Sequence, residues 1–251
     1  MISSKGLVLA MIPITVLLFS GAGAVAVNLS HASSSSTAQM TAQANIAYAS
    51  GNCSNVTAQE ALTMLMQGNA RFVSGNVCHP NQSDEQRAKV VSDQQPFAVV
   101  VSCSDSRVPP EIVFDQGIGD IFTVRTAGEV MDNATIGTVE YAVVHFHVPL
   151  IVVLGHDDCG AVKAAVENSS EPGQINYIVQ AITPAVDTAK GMHGDLLNNS
   201  INVNAENVAA QLQATHPILA EHVQQGNLQI VSARYHLDTG AVELLSNESQ
   251  G

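Results

Sequence analysis

Two short segments carry residue types that do metal chemistry: Cys103-Ser104-Asp105-Ser106-Arg107 and His156-Asp157-Asp158-Cys159-Gly160. Two thiolates, an imidazole and a carboxylate, from Cys103, Cys159, His156 and Asp105, make up a tetrahedral zinc set. Arg107, two residues beyond the carboxylate, can compete with the metal for it through a bidentate ion pair. A carboxylate that can be drawn away leaves a coordination position for water, so the pattern points to a catalytic metal rather than a purely structural one.

Each segment follows an apolar run, residues 97–102 and 150–155, of the kind that forms a strand buried on both faces. Upstream, Thr57 and Glu60 have the spacing of a capping box, and Leu62, Leu65, Met66, Ala70 and Phe72 recur near helical spacing. A second helix is predicted over 84–93, and Pro96 breaks the chain before the first strand. After it come a turn at Pro109-Pro110, a strand over 121–125, a helix over 133–146, the strand 150–155, and a helix that begins near Cys159 and runs to 168. Helices are predicted over 175–190, 203–213 and 217–224. Residues 228–235 and 242–245 flank Asp238-Thr239-Gly240 and read as a closing hairpin. This order predicts an α/β fold, a mostly parallel central sheet with helices on both faces and an antiparallel hairpin near the C-terminus. Ligands bind such sheets outside the carboxyl ends of the strands, which is where both segments fall.

With 251 residues, 46% of them hydrophobic, the chain has enough apolar surface for the core of one domain. Nine basic residues against twenty-two acidic ones give a net charge of -13, which disfavours nucleic acid and anionic membranes as partners. Lys5 precedes an uncharged stretch, 6–27, that ends in small residues, so 1–27 reads as a signal peptide or a membrane anchor. The expectation is export to the periplasm with the signal cleaved, and membrane contact only if the segment is retained. Residues 28–52, rich in Ser, Ala, Asn and Gln, read as a disordered linker, and 53–247 as the folded domain. In an oxidising compartment Cys53 and Cys78, which lie outside the metal-type segments, are expected to form a disulfide that stabilises the fold by about 3.5 kcal/mol.

Joined to Gly68-Asn69-Ala70-Arg71-Phe72, Val108-Pro109-Pro110-Glu111, Phe114-Asp115, Gly119-Asp120 and Arg125-Thr126-Ala127-Gly128, the two segments resemble a β-class carbonic anhydrase of an exported, bacterial type. The resemblance runs from about Thr57 to Leu245. It implies one Zn2+ per subunit, held by Cys103, His156 and Cys159, with the fourth position taken by water or by Asp105. It implies reversible hydration of carbon dioxide to bicarbonate and a proton by zinc-bound hydroxide, with Asp105 paired to Arg107 in the open form. Gln94, nine residues before Cys103, matches a glutamine that reaches substrate across a dimer, and Gly128 with the Arg125 backbone shapes the pocket wall. Glu129 stands where an asparagine is usual, which leaves the local hydrogen bonding open. A homodimer or dimer of dimers follows, with the helix near residues 60–73 embracing the partner.

The chain has no tryptophan, which argues against the tryptophan-based noncatalytic bicarbonate site of some relatives. His145 and His147 alternate in a run leading to the third strand, and a second metal site there is not expected. Two rivals share the metal ligands: a CS2 or COS hydrolase on the same scaffold, and a noncatalytic zinc-binding protein of the envelope.

Overall fold

Runs of valine, isoleucine and leucine build the middle of the sheet: β1 (Ala98–Cys103) and β3 (Leu150–His156) are buried at every residue. Side chains alternate faces along a strand, so each run must find cover on both sides. Val99, Val101, Ile151 and Val153 share one face and Val100, Leu150, Val152 and Leu154 the other.

The computed structural model describes residues 56–245. The expected leader 1–27, the linker 28–52 and Cys53 lie outside the described residues. The helices are α1 (Ala58–Ser74), α2 (Asp84–Lys89), α3 (Pro110–Val113), α4 (Asn133–Phe146), α5 (Gly160–Val166), α6 (Ile175–Ala189), α7 (Leu196–Gln213) and α8 (Ile218–Gln224). With β2 (Ile121–Thr126), β4 (Gln229–Tyr235) and β5 (Val242–Leu244) the sheet has the order β2-β1-β3-β4-β5. β2, β1, β3 and β4 pair in parallel, and β5 is antiparallel to β4. The predicted fold class is therefore the observed one.

Helix α1 and the residues that end α3 cover one face through Ala61, Leu65, Val113 and Phe114. Helices α4, α7 and α8 cover the other through Val139, Val143, Ala205, Leu212 and Leu219. A third cluster, drawn from α5, α6 and α7, gathers around Cys103 and Cys159 at the carboxyl end of the sheet. The chain leaves β1 toward β2 on one side and later returns to β3 on the other, so the direction of winding reverses between β1 and β3. That reversal opens a crevice at the carboxyl ends of those two strands.

Several boundaries differ from those predicted. α7 begins at Leu196, not 203, because Asp195 caps it by accepting from the Asn198 N–H, while Asn198, Asn199 and Asn202 hide its apolar period. Pro110 starts a short helix where a turn was predicted, since proline suits the first helical position as well as a turn. α2 stops at Lys89 and α5 at Val166, both short of their predicted ends. The capping box on α1 forms as read, with Thr57 Oγ1 accepting from the Glu60 N–H and the Thr57 N–H donating to Glu60.

Gly68 lets α1 press against the turn after α3: a Cβ there would lie 1.8 Å from the Phe114 carbonyl oxygen, whereas one at Gly137 in α4 meets nothing within 4 Å. Gly68→Ala is therefore expected to cost about 3 kcal/mol in urea unfolding, and Gly137→Ala to be neutral or to gain up to about 1 kcal/mol. Equal effects of the two substitutions would contradict the close approach of α1.

Candidate metal centre

Cys103 is the last residue of β1 and His156 the last of β3, so adjacent parallel strands deliver both to one end of the sheet. Three residues on, Cys159 occupies the N-cap of α5 and turns its sulfur back toward them. The ligand atoms of Cys103, His156 and Cys159 all lie within 4.8 Å of one another, and all three residues are buried. Among the described residues this is the one cluster with metal-ligating geometry. Two sulfurs each about 2.3 Å from a tetrahedral zinc stand about 3.8 Å apart; the Sγ atoms here are 4.0 Å apart. His156 Nδ1 meets the Asp157 carbonyl at 2.7 Å, and Nε2 is buried without a hydrogen-bond partner. An orphaned ring nitrogen beside two sulfurs at this spacing fits a zinc ion.

The electrostatics agree. Donation from Cys159, opposed by burial and aided by His156 and the Gly128 N–H, holds Cys103 at about 4. Cys159 is pushed up, first by donating to Cys103 and then by burial. Burial pulls His156 down, but the Cys103 thiolate outweighs it and the net shift is upward. A divalent cation held by these three residues would favour the thiolate form of both cysteines.

Asp105 was read as an alternative fourth ligand, and here its carboxylate is engaged elsewhere. Arg107 donates Nε–H to Oδ1 at 2.9 Å and Nη2–H to Oδ2 at 2.8 Å, and the Arg107 backbone N–H adds a third bond to Oδ1. This pairing holds Asp105 at about 2, well below the usual carboxylate range, despite some burial. Oδ2 nevertheless lies 3.9 Å from His156 Nε2, so the carboxylate borders the centre without belonging to the ligand cluster. Arg107 also donates to the Asp158 carbonyl at 3.3 Å, which ties the first segment to the second.

Gly128, read as part of the pocket wall, has φ 63° within the turn Ala127–Glu129 and donates its N–H to Cys103 Sγ at 3.3 Å. A Cβ at this position would come within 2.6 Å of Ile182 Cδ1. The Arg125 side chain was not foreseen: it donates to the carbonyls of Cys103 at 3.1 Å and Asp105 at 2.6 Å, holding the loop after β1 from the neighbouring strand. Nor was Asn204 of α7, whose Nδ2 donates to the Gly128 carbonyl at 2.9 Å and to Glu129 Oε1 at 3.2 Å. Only the Arg125-Thr126-Ala127-Gly128 string hinted at the first, and no local pattern marked the second.

Gln94 lies before the amino end of β1, opposite Cys103. The six residues of the strand, at about 3.3 Å each, put roughly 20 Å between it and its own subunit's centre. It lines a small cleft with Asp93, His145 and His147. His145 lies against Tyr141 with ring centroids 4.3 Å apart, and among the described residues neither histidine joins a ligand cluster. Cys78 is exposed, and its expected partner Cys53 lies outside the described residues.

Glu129 is 1% exposed, and its Oε2 has no partner. Burial, followed by the Cys103 charge, pushes its carboxyl up to about 8. A raised folded-state pKa means that the stability present below about pH 4.5 is lost as pH rises through 8. In metal-free protein Glu129→Gln should remove that loss, so its stability relative to the parent rises by a few kcal/mol between pH 5 and 8 and then levels off. Urea unfolding at several pH values checks this, and parallel pH profiles would contradict it.

The family model for carbonic anhydrase matches residues 98–242, a span that contains all three ligands. The carbonic anhydrase of Mycolicibacterium smegmatis is 46% identical over 187 residues, covering 73% of this chain and 91% of that protein. Carbonic anhydrase 2 of Mycobacterium tuberculosis is 41% identical over 194 residues, covering 76% and 94%. Among solved structures, the Coccomyxa β-carbonic anhydrase in complex with acetazolamide aligns with a TM-score of 0.58 at 27% identity, covering 72% of this chain and 84% of that one. Sequence, sheet order and ligand set agree, and the chain belongs to the β class of the carbonic anhydrase family.

Proposed function

We infer that this protein is a zinc-dependent carbonic anhydrase that interconverts carbon dioxide and water with bicarbonate and a proton. The observation that carries the reading is a buried Cys103–His156–Cys159 cluster with the Asp105 carboxylate beside it and drawn off it by Arg107. Zinc bound there supplies Lewis-acid activation of water near neutral pH. Two thiolates offset the charge of the cation and work against that activation, so the protein has to help. The Gly128 N–H draws electron density from Cys103 Sγ. Asp105, ionised above about pH 2, accepts a hydrogen bond from the reacting water and orients it. Arg107 keeps the carboxylate in that role by occupying both of its oxygens.

The remaining assignments are proposals of the same reading. Residues 1–27 direct export to the periplasm, 28–52 form a linker, 53–247 form the catalytic domain, and Cys53 bonds to Cys78. Lys5 with the uncharged stretch 6–27 supports the export reading. The subunits pair, and Gln94 of each serves the other's substrate. The placement of Gln94 at the far end of β1 favours that arrangement, since it removes the glutamine from its own centre.

Two measurements test this reading. Arg107→Ala is expected to keep stoichiometric zinc while stopped-flow CO2 hydration falls roughly 10–100-fold, because Asp105 is freed to move onto the metal. Cys159→Ser should lose the metal itself. Wild-type turnover in Arg107→Ala would contradict the role of the ion pair, and zinc-loaded protein without CO2 hydration would contradict the function. Light scattering should find the active species at twice the subunit mass or a multiple of it, and Gln94→Ala should lower kcat/KM in the intact assembly. A fully active monomer would remove the cross-subunit role.

A further inference from the structure

Outside the ligand cluster, Asp157 and Arg234 form a mostly buried ion pair that the reaction itself does not use: their side chains are 23% and 11% exposed. Asp157 follows His156 directly, and its carbonyl meets His156 Nδ1 at 2.7 Å. That carbonyl accepts a hydrogen bond from Nδ1–H, which leaves Nε2 with the lone pair that faces the sulfurs. The orientation of one peptide thus sets the orientation of a ligand.

Several bonds hold that peptide. The Asp157 N–H donates to the Tyr235 carbonyl at 3.0 Å, which continues the β3–β4 ladder one step past His156. Asp157 Oδ1 accepts from Arg234 Nε at 2.6 Å, and Oδ2 accepts from the Leu237 N–H at 3.1 Å. His236 Nδ1 lies 3.3 Å from Oδ2. Arg234 is itself fixed from the far side by α7, with Nη2 donating to Asn198 Oδ1 at 2.6 Å and Nη1 to Asn202 Oδ1 at 3.2 Å. Asn198 and Asn202 are one helical turn apart and face the same guanidinium.

We propose that Arg234 and Asp157 are positioning residues, a clamp that locks the His156–Asp157 peptide between β4 and α7 so that the imidazole meets the metal in one orientation. The proposal rests on the zinc reading above. A guanidinium suits the task because its planar fork reaches Asp157 Oδ1 and both α7 asparagines in fixed directions, which a lysine ammonium cannot do. Outer partners that orient a metal-bound histidine typically govern metal affinity by 10–100-fold. The clamp also accounts for the two asparagines inside α7: each spends its side chain on the arginine rather than on the helix.

Zinc affinity, read by competition with a chromophoric chelator at a temperature where the metal-free proteins keep their native circular dichroism, tests the clamp. Arg234→Met is expected to weaken zinc binding roughly 10–100-fold, and Arg234→Lys to recover part of the loss. Co2+-substituted Arg234→Met should show shifted absorption bands, a mark of altered ligand geometry that general loss of stability would not leave. Should Arg234→Met fail to fold, Asn198→Ala, which loosens Arg234 while leaving Asp157 paired, must weaken zinc binding and shift the cobalt bands in the same sense. Wild-type affinity with an unshifted cobalt spectrum in the folded variants would overturn the clamp and leave the zinc reading standing. A wild-type protein that holds no zinc would overturn both.

Discussion

Two sulfurs 4.0 Å apart, buried beside an imidazole nitrogen that has no hydrogen-bond partner, are costly for a folded chain to keep without a cation. The hydrogen bond between them holds the Cys103 thiol below its ordinary range and, with burial, pushes the Cys159 thiol up. A divalent ion converts this arrangement from a liability into a binding site. The sheet makes the arrangement affordable. Its two fully buried strands, packed with β-branched residues on both faces, end side by side at the point where the winding reverses, so the ligands project from rigid backbone into a crevice.

Around that cluster the loops are fixed by side chains that arrive from distant parts of the chain. Arg125 on β2 ties down the carbonyls of Cys103 and Asp105, Asn204 on α7 ties down Gly128, and Arg234 on β4 ties down Asp157. Solvent exposure falls on a different class of residue. Arg107, whose side chain is 48% exposed, holds Asp105 at the edge of the centre and bridges to Asp158. Ligands that must not move are therefore buried and braced from several elements, while the pair whose exchange would change the metal's fourth position sits at the solvent boundary.

This division also explains what was legible in the sequence. Cys103, Asp105, Arg107, His156 and Cys159 could be read because each segment is local and follows an uninterrupted apolar run; the strands came out within a residue and α4 to the residue for the same reason. Asn204 and Arg234 could not be read as supports, because their partners lie more than 70 residues away in the chain and nothing nearby marks them, and the string around Arg125 did not show what its side chain holds. The start of α7 was lost to the very asparagines that serve Arg234, polar residues that break the apolar period of a helix in order to hold something beyond it. Glu129 stood out as a departure from the family pattern, but its burial and its unpartnered oxygen emerge only when α7 is packed over the turn.

The same polarity of the sheet constrains the quaternary arrangement. Gln94 precedes the amino end of β1 and the metal ligands close its carboxyl end, so no rearrangement of side chains within one subunit brings them together. A glutamine that serves the centre must come from a second copy whose β1 runs the opposite way. A two-fold axis perpendicular to the strands produces that relation, and it supplies both centres at once, because an isologous interface repeats every contact. On the proposed role of Gln94, such a site would be completed by assembly, and the subunit that holds the metal ligands would not by itself be the unit that binds substrate.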